Sequence, residues 1–291
     1  MTGRTASMTV DLKSRDISRK IKKAQIYAFL GFFTLIQLFP LYWLILFSFK
    51  TNREIFNGNI IGLPENFLWK NYTTALFGGD VGLYLFNSIL VTFATVVFTV
   101  ILASMAAYAI TRMKWKLSKT VLIIFLMGMM VPLHSALLPL FLVLKKLRIL
   151  NSYAALIIPY TAFSLPIAIF IFTGFFQTIP IEMEESAFME GCSVYRSFVS
   201  IIFPLIKPAI ATVSIFTYLT AWNELMFAVT FISKKQFSTL SVGIISLTSR
   251  FRTEWGPIGA ALVIAVIPSL LVYFLLSRQV QDSIRAGAIK G

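Results

Sequence analysis

Long apolar runs separated by short polar segments dominate the chain. Six of these runs reach or approach the roughly 20 residues that a helix needs to cross a bilayer. They cover about residues 25–49, 83–110, 119–143, 153–176, 205–231 and 257–277. The pattern predicts an all-α fold class, a polytopic membrane protein with six transmembrane helices. An even number of spans places both termini on the same side of the membrane.

One long polar interruption, residues 179–208, separates the fourth run from the fifth. Pro180 suits the first turn of a helix, where its missing N–H costs nothing. Glu184 and Glu185 place negative charge at the positive end of that helix, and Gly191 suits the left-handed conformation that ends it. The segment therefore predicts a helical hairpin at the membrane surface. From these residues alone, a plain interfacial connection between two spans stays an alternative.

The basic residues predict the orientation, because cytoplasmic loops carry an excess of Lys and Arg. With both termini inside, 16 of the 26 basic residues fall on the cytoplasmic side and ten on the outer side. This orientation places the hairpin in the cytoplasm. The predicted division is a basic cytoplasmic arm (1–24), a transmembrane domain (25–278) with the hairpin at 179–204 and outer loops at 51–82 and 233–256, and a cytoplasmic tail (279–291).

Composition supports a membrane protein and excludes several other classes. Hydrophobic residues make up 57% of the chain, and its mean hydropathy is +0.81, outside the range of soluble domains. The net charge of +14 comes from clusters beside apolar runs, which indicates topology signals and lipid contact and no nucleic-acid partner. A single cysteine and a single histidine leave no Cys/His metal site and no nucleophile–base pair. We therefore expect no catalytic residues and no metal.

The hairpin resembles the EAA motif of ABC-importer permeases, in which Glu-Ala-Ala is followed by Gly and then by Ile-x-Leu-Pro. The matching residues are Glu185-Ser186-Ala187, Gly191 and Ile201-x-Phe203-Pro204. Ser186 and Phe203 depart from the consensus. The resemblance implies a coupling helix that docks on a separate ATPase subunit, with Glu184, Glu185, Ser186, Ala187, Gly191 and Pro204 as the coupling residues.

From about residue 26 to the C-terminus, the chain is similar to the carbohydrate-type permeases of ABC importers, specifically the smaller six-span subunit of the maltose type. The segments that match are Asn87-Ser88, Ala106-Ala107-Tyr108-Ala109 with Arg112, Pro132-Leu133, Pro139-Leu140, Trp222-Asn223-Glu224 and the ending from Ala286 to Gly291. This resemblance implies a type I ABC importer permease fold and a subunit of a binding-protein-dependent transporter that moves a sugar, an oligosaccharide by preference, into the cytoplasm by alternating access.

The resemblance also implies a set of partners in a bacterial-type cytoplasmic (inner) membrane. These are a second homologous permease, two ATPase subunits and an extracellular solute-binding protein that delivers the saccharide. No phosphate-binding G-x-x-x-x-G-K-[ST] pattern occurs in the chain, so ATP and Mg would be used by the partner ATPase and no cofactor by this chain. The outer loop 233–256 would reach toward the binding protein, and the tail residues Arg285, Gly287 and Lys290 would contact the ATPase.

Four polar or aromatic residues inside the apolar runs are candidates for the substrate path. Trp222, Asn223 and Glu224 combine stacking and hydrogen-bonding groups in the fifth run, and His134 follows Pro132 in the third. A carboxylate in a membrane span is costly and faces a bundle interior or a cavity. For Glu224 the sequence leaves open a structural bond to a neighbouring helix, and for His134 an ordinary satisfied polar residue.

Three alternatives to a sugar permease remain at the level of sequence. One is an ABC importer permease for a non-sugar solute, which would share the hairpin. Another is an ion-coupled secondary transporter, which predicts paired intramembrane acids and inverted repeats, neither of which is visible. The third is a membrane assembly factor without transport activity.

Overall fold

The computed structural model of the chain describes residues 3–113, 115–248 and 254–288, with side-chain environments within residues 19–277. All regular elements in these ranges are helical. The α-helices are α1 (Gly3–Ser48), α2 (Asn52–Phe56), α3 (Lys70–Thr73), α4 (Val81–Arg112), α5 (Ser118–Met127), α6 (Leu137–Lys146), α7 (Ala154–Phe176), α8 (Glu182–Met189), α9 (Val194–Ser197), α10 (Phe203–Leu205), α11 (Lys207–Asn223), α12 (Met226–Phe231), α13 (Leu240–Ser246) and α14 (Trp255–Ala288). Short 3₁₀ or π turns extend or connect several of them: Thr74–Gly78, Gly128–Met130, Leu133–Ala136, Phe198–Ile202 and Lys235–Phe237.

Within the described ranges, four helices are long and apolar enough to cross a membrane: Arg19–Ser48 of α1, α4, α7 and Trp255–Ser277 of α14. Two further pairs of helices meet this description only when each bent pair is taken as one span, which raises the number to as many as six. The six apolar runs of the sequence thus all appear as helical segments. They differ in whether the helix is continuous.

The third run is bent by 93° between Ser118–Met130 and Leu133–Lys146. Pro132 disfavours a helical conformation at the preceding residue, and Val131 has an extended conformation with ψ 113°. Gly128, just before the bend, lies so close to α7 that an added Cβ would be 3.0 Å from Pro166 Cγ. The third run, predicted as a span over about 119–143, is thus divided at Pro132 into two helical segments.

The centre of the bundle is formed by α4 and α7, whose facing sides are lined with small and aromatic residues. Ala103, Ala107 and Ala168 are fully buried there, together with Phe172 and Phe176. Small side chains allow the two backbones to approach closely, which is how helices associate in lipid. A small residue also allows α14 to pack closely against α1. A Cβ added at Gly259 would be only 2.7 Å from Phe47 Cδ1.

The loop between α1 and α4, which the sequence predicts to be the first outer loop, is organised around a buried lysine. Lys50 is fully buried, and its Nζ donates to the backbone carbonyls of Asn59 (2.6 Å) and Gly62 (2.6 Å). Glu54 accepts from Asn59 Nδ2 (2.9 Å) and from the backbone N–H of Glu65 (2.8 Å). The charge count placed Lys50 among the ten basic residues of the outer side, and the structure shows that its buried side chain holds this loop together.

The segment between α12 and α14, which the sequence predicts to be the second outer loop, is tied to α4. Asn87 Nδ2 donates to the carbonyls of Gln236 (3.0 Å) and Ser238 (2.9 Å), and Ser88 Oγ accepts from the N–H of Leu240 (2.8 Å). Asn87 and Ser88 belong to α4, a helix long and apolar enough to cross a membrane, and an unsatisfied polar group within a membrane is costly. Asn87 and Ser88 therefore anchor the loop to the N-terminal part of α4.

Candidate functional site

The hairpin predicted from the sequence is present, with α8 as its first arm. Gly191 has φ +81°, and its N–H donates to the carbonyl of Phe188 (3.0 Å), while that of Cys192 donates to Ala187 (3.0 Å). This pair of bonds is the Schellman arrangement that closes a helix at a glycine. Ser193 then begins the second arm, because its Oγ accepts from the N–H of Arg196 (3.4 Å). The hairpin turn is thus closed by its own backbone.

Glu184 points from α8 into the bundle. Its side chain is 3% exposed, its Oε2 accepts a hydrogen bond from the hydroxyl of Tyr108 (2.8 Å), and its Oε1 lies 3.1 Å from Nε of Arg112. Oε1 of Glu184 and Nε of Arg112 thus form an ion pair whose geometry is not that of a hydrogen bond. Tyr108 and Arg112 both belong to the last turns of α4, so this acid fastens the hairpin to that helix.

Arg112 extends the connection to a third helix. One of its terminal nitrogens donates to the carbonyls of Phe176 (2.7 Å) and Ile179 (2.7 Å) at the end of α7. The last carbonyls of a helix have no partner within the helix and carry partial negative charge, which a guanidinium satisfies well. Tyr108, Arg112 and Glu184, which we call the hairpin clamp, therefore join α4, α7 and α8 at one point.

The opposite side of the hairpin is open. Glu185 and Ser186 are exposed, as are Gly191 and Pro204, whereas Ala187 is buried against the bundle. Large apolar side chains stand beside the exposed acid: Met183, Phe188, Met189 at 89% exposed and Tyr195 at 79% exposed. Exposed apolar residues with polar residues next to them are typical of a protein interaction site.

Glu224 lies at a break in the fifth run and not within a continuous helix. It follows the end of α11 with ψ 130°, and its carboxylate accepts from the N–H groups of Phe227 (2.8 Å) and Ala228 (3.2 Å) in the first turn of α12. The hydroxyl of Tyr160 in α7 donates to its Oε2 (2.5 Å). Glu224 is 8% exposed. Glu224 therefore does not lie near mid-helix as the sequence predicted, because it caps the helix that restarts there. Its bond to Tyr160 is the structural bond to a neighbouring helix that the sequence left open.

The other three candidates for a substrate path do not line one common pocket. Trp222 stacks on Tyr218, with ring centroids 5.4 Å apart, and lines an apolar groove of about 320 Å³ between α4, α11 and α14. Asn223 is exposed, and its Nδ2 donates to the carbonyl of Leu219 (2.8 Å). His134 is exposed on the 3₁₀ turn that follows the bend in the third run. A role of these residues in the substrate path stays a prediction.

The tail residues predicted to contact the ATPase are at the limit of what the structure covers. Arg285 and Gly287 lie in the backbone of α14, which continues to Ala288, while Lys290 and the side chain of Arg285 lie outside the described residues. Over the part of the chain that the structure describes, no three His, Cys, Asp or Glu side chains come together as metal ligands.

Sequence reasoning missed the roles of Tyr108 and Arg112. It used both residues only as part of a family signature at the end of the second run. The signal available was a guanidinium and a phenol one turn apart at a helix end, but no pattern along the chain states which acid, 72 residues after Arg112, they would meet. Only packing brings Glu184 to them.

Comparison with known proteins gives matches that span most of the chain. The family described as "Binding-protein-dependent transport system inner membrane component" matches residues 99–286. The sulfoquinovosyl glycerol transport system permease protein of Agrobacterium fabrum is 33% identical over 87% of this chain and 89% of its own length. The trehalose/maltose transport system permease protein of Thermococcus litoralis is 32% identical over 88% of this chain and 93% of its own.

A solved structure has the same arrangement of helices. It comes from a bacterial ABC transporter involved in the import of the acidic polysaccharide alginate. One of its chains superposes with a TM-score of 0.79, covering 90% of this chain and 97% of its own length, at 22% sequence identity. At that identity the likeness concerns the fold.

Proposed function

The chain belongs to the family of binding-protein-dependent transport system inner membrane components, and we propose that it is the permease subunit of an ATP-driven importer that moves a saccharide into the cytoplasm. The resemblance first seen in the hairpin is confirmed by this family membership, and the type I permease fold by the structural likeness. The chain is a multi-pass membrane protein and a transport subunit. We propose the bacterial-type cytoplasmic membrane as its location, with both termini inside.

A saccharide as substrate is supported by two relatives. Their names assign them sulfoquinovosyl glycerol and trehalose or maltose, all of which contain sugar rings. Both relatives match this chain over nearly their whole length, so the similarity includes the spans as well as the hairpin. A permease for a non-sugar solute is the competing proposal, and thermal-shift measurements on the binding protein with neutral and acidic oligosaccharides would distinguish the two.

The partners are part of the same proposal. They are a second homologous permease, two ATPase subunits that use ATP and Mg, and an external solute-binding protein. The hairpin is the proposed contact with the ATPase, because its outer surface is exposed while its inner surface is fixed. Arg285, Gly287 and Lys290 of the tail remain a second proposed contact.

The hairpin clamp is the observation that supports this mechanism best. Through Tyr108 and Arg112, a displacement of α8 acts on α4 and α7, the two helices that form the centre of the bundle. Closely packed interfaces switch between discrete arrangements and do not deform continuously. Movement of the ATPase subunits upon binding ATP would thus turn the bundle from inward-facing to outward-facing through this fixed link.

Reversal of the exposed hairpin charge tests this proposal. In the assembled transporter in proteoliposomes, Glu185→Arg should reduce ATP-driven saccharide uptake by about tenfold or more, since a reversed charge in a docking surface costs several kcal/mol. The spans should still insert, because the side chain of Glu185 faces away from the bundle. Uptake and ATP hydrolysis are measured together.

The matched control is Lys116→Glu, a charge reversal at an exposed position between α4 and α5, outside the hairpin. It should leave uptake near the wild-type rate. Uptake by Glu185→Arg at the full wild-type rate would show that the hairpin does not dock on the ATPase through this surface. Failure of the chain to co-purify with any ATPase in mild detergent would contradict the proposed function as a whole.

A further inference from the structure

Tyr108 of the hairpin clamp lies between the two arms of the hairpin. Its hydroxyl donates to Oε2 of Glu184 in the first arm (2.8 Å). Its ring packs against Phe198 of the second arm, with ring centroids 5.0 Å apart. The first arm is thus held to α4 by a polar contact, whereas the second arm meets the same side chain through an apolar one.

Ser197, the residue before Phe198, carries a buried hydroxyl without a hydrogen bond. Its side chain is fully buried, and its Oγ has no hydrogen-bond partner in the part of the chain that the structure describes. It lies within interaction range of the Tyr108 hydroxyl, which is bonded to Glu184 instead. A buried hydroxyl whose hydrogen bond is not made destabilises the protein, so its presence needs a reason.

Two further unsatisfied atoms lie at the same point. Nε of Arg112 and Oε1 of Glu184 are buried and 3.1 Å apart, but they are not aligned for a hydrogen bond. Together with Oγ of Ser197, three polar atoms in one small region are therefore left without a hydrogen bond. A small shift of α8 relative to α4 can align the acid with the guanidinium and release the Tyr108 hydroxyl.

The second arm of the hairpin is not a rigid extension of the bundle. Ser197 ends α9 and is followed by the π turn Phe198–Ile202, a wider form of helix that is frequent at functional sites. The arm then meets α11 at an angle of 76°, with Ile206 at the junction. The second arm can therefore change its position without moving the whole of α11.

We propose that Ser197 is a positioning residue for coupling, because it offers the Tyr108 hydroxyl a second hydrogen-bond partner when α8 is displaced. The proposal rests on the proposed function, which supplies the displacement. In the displaced arrangement the Tyr108 hydroxyl bonds to Oγ of Ser197, so the hairpin stays attached to α4 while it moves. A hydroxyl both donates and accepts, and the exchange needs no change in protonation. Two discrete arrangements, each with its own bonds, are what a switching interface requires.

The test compares Ser197→Ala with wild type in the assembled transporter in proteoliposomes. Because the hydroxyl has no partner in the arrangement of the structure, its removal should leave the unfolding temperature in detergent unchanged or slightly higher. ATP-driven saccharide uptake should nevertheless fall about fivefold, which is the effect of one hydrogen bond on an equilibrium constant. A serine with a purely structural role would give the opposite pattern, a lower unfolding temperature with unchanged uptake.

A double-mutant cycle tests whether Ser197 acts through Tyr108. Tyr108→Phe removes the shared hydroxyl, so the addition of Ser197→Ala to Tyr108→Phe should slow uptake no further. The matched control is Ser200→Ala, which removes the hydroxyl of an exposed serine in the same arm. This control should keep the wild-type rate of uptake and the wild-type unfolding temperature.

Three results would overturn the role of Ser197 while leaving the transporter intact. Uptake by Ser197→Ala at the wild-type rate would show that the second partner is not used. A lower unfolding temperature of this variant would show that the hydroxyl is already bonded before the hairpin moves. Additive losses of uptake in the cycle would give Ser197 a role independent of Tyr108. Absence of ATP-driven uptake by the wild-type complex would instead contradict the proposed function, and the role of Ser197 with it.

Discussion

Glu184 and Glu185 are adjacent in the chain, yet they serve different surfaces. Glu184 is buried in the hairpin clamp, whereas Glu185 is exposed beside Phe188 and Met189. A helix turns about 100° per residue, so neighbours necessarily face different directions. Reversal of both charges together would mix a loss of docking with a loss of internal fastening. The two residues need separate tests.

The clamp predicts a loss of stability when Glu184 is neutralised. Glu184→Gln leaves the guanidinium of Arg112, at the end of α4, without its negative partner. Removing one member of a buried ion pair costs about 3 to 5 kcal/mol. We expect a clearly lower unfolding temperature in detergent. Tyr108→Phe, which removes one hydrogen bond, should cost about 1 kcal/mol. Glu185→Gln should unfold at the wild-type temperature.

An unchanged unfolding temperature of Glu184→Gln would give Glu184 a different role. If Glu184→Gln unfolded like wild type but lost uptake to the same degree as Glu185→Arg, Glu184 would belong to the docking surface, and the clamp would not transmit motion.

At the scale of elements, the short helix α12 depends on one carboxylate. Glu224 satisfies two N–H groups in the first turn of α12 and the hydroxyl of Tyr160 in α7. A break within a span is tolerated only where the freed backbone groups find partners. Glu224 thus allows the chain to leave α11 and restart as α12, from which the second outer loop begins.

This role predicts that Glu224 controls stability and not the affinity for substrate. Glu224→Ala removes a helix cap, worth about 0.5 to 2 kcal/mol, and leaves the hydroxyl of Tyr160 buried without an acceptor, worth a further 1 to 3 kcal/mol or so. The unfolding temperature should fall, while the KM for uptake by folded transporter stays unchanged. Glu224→Gln keeps one acceptor oxygen and should fall less. A raised KM at unchanged stability would return Glu224 to the substrate path.

At the scale of the whole molecule, the single cysteine of the chain reports its orientation. Cys192 lies in the turn of the hairpin and is partly exposed. With the hairpin in the cytoplasm, a membrane-impermeant maleimide should label Cys192 in inside-out vesicles and leave it unlabelled in intact cells. The control is Glu65→Cys in a Cys192→Ser background, an exposed position in the first outer loop, which should label from outside. Labelling of Cys192 in intact cells would invert the topology.

The limits of sequence reasoning follow from these same residues. The pattern of apolar runs gave the positions of the helices within a few residues, as with 83–110 against α4 and 153–176 against α7, because lipid rewards length and hydrophobicity directly. It did not give the break at Glu224, where no proline marks the chain. At that break Glu224 also accepts a hydrogen bond from Tyr160, 64 residues away in the chain.

The sequence by itself determined the class of the protein, its helices, and the hairpin with its glycine turn, because each of these depends on residues close together in the chain. Only the tertiary structure decided which side chains meet: that Glu184 turns inward to Arg112 and Tyr108, that Lys50 is buried, and that Asn151 bonds the backbone of Ser233 and Lys234. These outcomes depend on packing between helices far apart in sequence, since the direction of a side chain is set by what its helix packs against.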